Sequence, residues 1–187
     1  MALVLLPIFF LNESDCRRRL LMLIVPTVTF AAQFVPYVIT ANPFESLLQF
    51  AQHWTFNGAV FEMLNVFLKD NQRVRLLSGA LLAIALVFVY SSRRDLLHKI
   101  HDCVLLLLLF SPVVYPWYVT WLAVLLPLAR RWSGIVFVCS VSLASLTTLG
   151  YLQEGIWEQS PVVLGFEYSP VILLLLLELR RPSPPLV

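Results

Sequence analysis

The chain has 187 residues, of which 59% are hydrophobic and only 13% charged, with a mean hydropathy of +0.83 and a formal net charge of +2. Soluble domains carry about 45–50% apolar and about 25% charged residues, so the composition excludes an ordinary water-facing globular fold. The small net charge, with arginines in short clusters rather than on one basic face, gives no basis for nucleic acid as a partner.

Several apolar runs near the length of a bilayer-spanning helix predict a single transmembrane domain over 1–187. The expected fold is an all-α polytopic membrane helix bundle of about five to seven membrane segments, one of them a broken or re-entrant helical hairpin. The first eleven residues, MALVLLPIFFL, have no basic leader or small-residue cleavage site and so are not expected to be a signal peptide. As a helix they reach about 16 Å, against a hydrocarbon core of about 30 Å. They are expected to be a truncated span over 1–11, which makes the chain the C-terminal part of a larger protein.

After Arg17, Arg18 and Arg19, the first complete span is predicted over 20–41. Pro26 and Pro36 should kink it, and Gln33 is placed at mid-depth, where an interhelical hydrogen bond is expected. An outer amphipathic loop follows over 42–73. Asn42-Pro43 is a helix-start signal with Glu45 in the first turn, and Phe44, Leu47, Leu48 and Ala51 recur at helical spacing. Gly58 separates this surface helix from a second one, Val60 to Leu68. Further spans are predicted over 74–92, 133–152 and 166–179, and the hairpin over 96–129. The span over 133–152 is rich in small residues (Ser140, Ser142, Ala144, Ser145) that allow close helix approach.

Lys and Arg mark the cytoplasmic side of a membrane. If 96–129 crossed once, Arg130-Arg131 and Arg180-Arg181 would lie outside. As a hairpin it places ten of the thirteen basic residues inside, namely Arg17, Arg18, Arg19, Arg93, Arg94, Lys99, Arg130, Arg131, Arg180 and Arg181. Lys69, Arg73 and Arg75 stay outside. Pro112 and Pro116 support the hairpin, ending one limb and starting the other, with Tyr115-Pro116-Trp117-Tyr118 at the tip.

This topology gathers the outer loop, the hairpin tip and the 151–168 loop on one face. Their aromatics, amides and carboxylates include His53, Trp54, Asn57, Glu62, Asp70, Glu154, Trp157, Glu158 and Glu167. Such a mixture suits a carbohydrate, whose faces stack on rings while its hydroxyls take hydrogen bonds. Trp and Tyr also belong to interfacial belts without any ligand, and Glu154 with Glu158 reads as a solvated helix face. Arg73 and Arg75 could hold a lipid phosphate or snorkel. Glu45, His53 and Glu62 are independent candidates. No metal site is expected: His98 and His101 share a helical face without a third ligand, and a divalent ion is allowed but unsupported. Cys16, Cys103 and Cys139 are read as packing residues. Polarity is expected on one side of the membrane, with little in the spans beyond Gln33.

The stretch Gln52-His53-Trp54-Thr55-Phe56-Asn57-Gly58, in an outer loop between spans, resembles the W-x-F-N segment of multi-pass glycosyltransferases of the GT-C class. The hairpin SPVVYPWYVTWLAVLLPL is similar to their S-P-x-x-x-P-W-Y element. The resemblance covers about Leu20 to Arg181. It implies the C-terminal half of a mannosyltransferase-like enzyme using a polyprenyl-phosphate sugar as donor, with a glycan or lipid acceptor, membrane lipid around it and no further cofactor. It also implies a site on the outer face of a bacterial membrane or in the lumen of the endoplasmic reticulum, the bacterial inner membrane being the expected location. It assigns Trp54, Asn57, Tyr115, Pro116, Trp117 and Tyr118 to substrate binding. Members carry their essential acid in a first outer loop that this chain lacks, so the resemblance assigns no catalytic base, and this segment alone is expected to be inactive. The alternative is a non-enzymatic multi-pass protein, a lipid-carrier flippase or transporter fragment or an accessory subunit.

Overall fold

A computed structural model describes residues 2–38, 43–155, 157 and 159–180. Asn42, Glu158, Arg181 and the last residues of the span predicted over 20–41 lie outside the described residues. The fold is all-α, and the extended backbone contributes one isolated bridge, between Phe56 and Val113. Four segments are long and apolar enough to cross a membrane: Cys16–Tyr37, Asn71–Ser91, Trp132–Glu154 and Pro161–Arg180. The chain is therefore a membrane protein, and it divides into two compact units, Met1–Trp54 and Thr55–Val187.

The first unit holds α1 (Ala2–Asn12), α2 (Cys16–Ala32), α3 (Val35–Val38) and α4 (Pro43–His53). Asp15 caps α2 by accepting from the Arg17 amide. Pro26 sits inside α2, but the helix stops at Ala32 and re-forms as α3 after a turn at Gln33 and Phe34. Pro36 explains the stop, because its ring excludes the carbonyl of residue i−4, which is Ala32. Gln33 therefore caps α2 instead of sitting at mid-span, and its amide bonds Ala31 and Phe30. No residue of α2 is buried. Glu45 and His53 are exposed on α4, and Trp54, just past its end, stacks on Phe50 at 5.5 Å.

The second unit holds α5 (Ala59–Leu68), α6 (Asn71–Ser91), α7 (Leu96–Phe110), α8 (Thr120–Ala129), α9 (Trp132–Ser140), α10 (Ser145–Glu154) and α11 (Pro161–Arg180). A 3-10 turn, Val141–Ala144, joins α9 to α10 into one long segment. Helix α7 is the centre, with Cys103, Leu105 and His101 fully buried. It packs against α6, α5 and α8, while α11 packs along α9. Asp70 caps α6 by accepting from the Gln72 and Arg73 amides, and Asp95 caps α7 by accepting from the His98 amide.

The hairpin is present. Its limbs, α7 and α8, pack together; the chain bends over Ser111–Tyr115, and Pro116 opens the return as a 3-10 turn, Pro116–Val119. A limb of 15 residues reaches about 22 Å, short of a full crossing. Arg94 and Arg131, from two of the expected arginine clusters, meet at one end of this unit. Arg94 pairs with Asp102 at 2.6 Å and donates to the Leu179 carbonyl at 2.7 Å, and Arg131 lies 3.9 Å from the same Asp102. Glu178 completes the end by capping α9, accepting from the Trp132 amide at 2.7 Å and the Ser133 hydroxyl at 2.6 Å. Buried polar groups in this unit exceed the little polarity expected of the spans. Asp102, His101 and Arg131 are buried at this end, and Asn57 and Glu167 are buried elsewhere in the unit.

Candidate functional site

The site is built where the segment before α5 meets the bend of the hairpin. The Phe56 amide donates to the Pro112 carbonyl at 2.9 Å, and the Val114 amide donates to the Phe56 carbonyl at 2.7 Å. Gly58 makes this approach possible. A Cβ there would stand 2.8 Å from the Ser111 carbonyl oxygen and 3.0 Å from that of Pro112, both backbone atoms. Between them Asn57 takes a left-handed φ of 55°, which asparagine tolerates better than most residues.

Asn57 is fully buried, and every polar atom it carries is used within the protein. Its Nδ2 donates to Glu167 Oε1 at 2.6 Å, and its Oδ1 accepts from Gln159 Nε2 at 2.7 Å. The backbone amide donates to Gln159 Oε1 at 2.8 Å, and the backbone carbonyl accepts the Tyr168 hydroxyl at 2.6 Å. This clasp ties the chain before α5 to the start of α11. Glu167 is fully buried, and its Oε2 has no hydrogen-bond partner among the described residues.

Four rings run across the surface of this clasp. Trp157 lies 5.5 Å from Phe56, Phe56 stacks on Tyr115 at 4.8 Å, and Tyr115 stacks on Trp117 at 4.5 Å with planes 4° apart. Tyr118 meets Tyr115 edge-on at 5.7 Å. Trp117 ends the row and is 62% exposed. A stacked row of this kind offers a flat π face together with phenolic hydroxyls at the edge. Beside it a cavity of about 770 Å³ opens between α5 and α11, with Phe56, Trp157, Gln159 and Tyr168 in its wall.

The expected site residues thus separate. Tyr115, Pro116, Trp117 and Tyr118 converge with the Phe56-Asn57 segment. Asn57 shapes the site and presents no side-chain atom to a ligand. Glu62 is half-buried in the cavity wall; burial pushes its carboxyl above the ordinary 4.5, against a hydrogen bond with Asn65 that lowers it. Arg73 pairs with Asp70 at 3.1 Å; Arg75 donates to Asn71 at 2.9 Å and lies over the Phe61 ring. Trp54, His53 and Glu45 belong to the first unit. Gln159 was not legible in the sequence, its partner being 102 residues away. Glu167 carried one signal, a carboxylate at the edge of an apolar run, where ionisable groups are rarely idle. Among the described residues no group of three or more His, Cys, Asp or Glu is placed to hold a metal ion; His98 pairs with Asp95 and His101 with Asp102. Comparison with protein-family models, curated proteins and solved structures finds no match to this chain.

Proposed function

We propose that the chain contributes the lipid-linked sugar binding region of a membrane glycosyltransferase of the GT-C kind, with a mannose-type hexose on a polyprenyl phosphate as donor. One observation carries the reading. The two stretches that resemble that class come together, joined by the Phe56–Val113 bridge and by the stacking of Phe56 on Tyr115. In this reading the exposed face of Trp117 takes the sugar ring, and the Tyr115 and Tyr118 hydroxyls bond its hydroxyls. Arg73 and Arg75, in the first turns of α6, supply positive charge for the phosphate. In the reaction an acceptor oxygen bonds the anomeric carbon as the bond to the phosphate oxygen breaks, and the acceptor proton passes to a base. No residue of this chain is assigned that role. The site would lie on the outer face of a bacterial inner membrane.

The test is photolabelling of the purified chain in lipid nanodiscs with a photoreactive polyprenyl-phosphate mannose. Trp117→Ala and Tyr115→Ala should each lower labelling at least fivefold, and polyprenyl phosphate without the sugar should label less than the mannosylated probe. Labelling that ignores both substitutions, or both probes labelling alike, overturns the reading. The transporter alternative draws on the buried ionisable pair of observations at Glu167 and Asp102, since such groups line transport paths. Flux of the same lipid across proteoliposomes, lost in Glu167→Gln, would favour it.

A further inference from the structure

The two helices that border the cavity begin side by side, held by the reciprocal bonds between Asn57 and Gln159. Each turns one stripe toward the space between them, with Val60, Met63 and Val66 on α5 and Leu164, Tyr168 and Ile172 on α11. A volume of about 770 Å³ suits a lipid-sized ligand, and pockets of about 300–1,000 Å³ are typical of small-molecule sites. The wall is mainly apolar, interrupted by Thr55, Glu62, Asn65, Gln159 and Ser169. At Gly165 an added Cβ would meet nothing within 4 Å, so this part of the wall is open. Helix α11 is itself long and apolar enough to cross a membrane, and its Phe166 and Leu173 are exposed.

Charge decides the class of occupant. Among the described lining residues there is no Lys or Arg, and Glu62 is the one carboxylate. An anionic phosphate head would find no counter-ion and one like charge; a hydroxyl would find a carboxylate and two amides to bond. We infer that the cleft between α5 and α11 binds a membrane lipid whose head is uncharged and hydroxyl-bearing, its chain along the Val60, Met63, Leu164 and Ile172 stripe and its hydroxyls at Glu62, Asn65 and Gln159. This site is separate from the Tyr115–Trp117 face and does not depend on the glycosyltransferase reading.

The experiment uses the whole chain in phosphatidylcholine nanodiscs with a diazirine-tailed diacylglycerol or the matching phosphatidic acid, the label being mapped by peptide mass spectrometry. Diacylglycerol should label 59–68 and 161–180 at least fivefold more than phosphatidic acid does. Gly165→Trp, which fills the open wall, should cut that labelling at least fivefold; Gly79→Trp, at another open position, should leave it unchanged. Glu62→Lys should turn the preference toward phosphatidic acid. Equal labelling by the two heads, label mapped to other segments, or full labelling of a folded Gly165→Trp chain overturns the inference. If Gly165→Trp fails to fold, the label map and head preference of the wild-type chain decide the matter alone.

Discussion

Replacing Asn57 by alanine tests whether the clasp holds the candidate site together. The substitution removes the donation to Glu167 and the acceptance from Gln159. Glu167 Oε2 already lacks a partner among the described residues, so the buried carboxyl would be left with no donor from this residue. Stranding such a group costs about 2–3 kcal/mol, and the orphaned Gln159 amide about 1 kcal/mol. Alanine at a φ of 55° adds about 1 kcal/mol. The sum is about 4–5 kcal/mol, which for a chain of this size lowers the melting temperature by about 10–15 °C. Thermal unfolding of the detergent-solubilised protein, followed by tryptophan fluorescence, measures it. Asn57→Gly isolates the backbone term and should recover about 1 kcal/mol of the loss. The double variant Asn57→Ala with Glu167→Leu should be less destabilised than the two single changes summed, because the leucine leaves no carboxyl to strand. A loss under about 1 kcal/mol, or strict additivity in the double variant, would refute the reasoning.

Three further outcomes follow from the same physics. Gly58→Ala should cost about 2–3 kcal/mol, because its Cβ would press on the Ser111 and Pro112 carbonyls at 2.8 and 3.0 Å; an unchanged melting temperature would refute the close approach. Asp102→Ala should cost about 3–5 kcal/mol, since it strands Arg94 and Arg131, with Asp102→Asn milder; a melting temperature unchanged in both would dismiss the cluster as a stabilising element. Burial alone would raise the Asp95 carboxyl, but the hydrogen bonds it makes with the His98 side chain and amide hold it below 3.8. A depressed folded pKa contributes stability that is complete above the unfolded value and lost as pH falls through the folded one. Asp95→Ala should therefore cost about 1 kcal/mol of capping at neutral pH and flatten the acid limb of the stability profile below about pH 4; parallel acid limbs would contradict this.

The composition and the runs of apolar residues determined the membrane class and the helical fold, because a bilayer leaves the backbone few ways to satisfy its own hydrogen bonds. Local chemistry also wrote several boundaries: Asp70 and Asp95 open α6 and α7, and Pro36 ends α2 at Ala32. The arginine asymmetry pointed to the hairpin, since one crossing and one return put Arg130-Arg131 on opposite sides. Tertiary structure alone decided which polar groups meet. The clasp of Asn57 with Gln159 and Glu167, the bridge from Phe56 to Val113, and the burial of Asp102 between Arg94 and Arg131 pair residues from separate elements. Periodicity reports which face of a helix is apolar; it carries no record of which distant side chain will complete a buried hydrogen bond, because that depends on where two helices are brought together by packing.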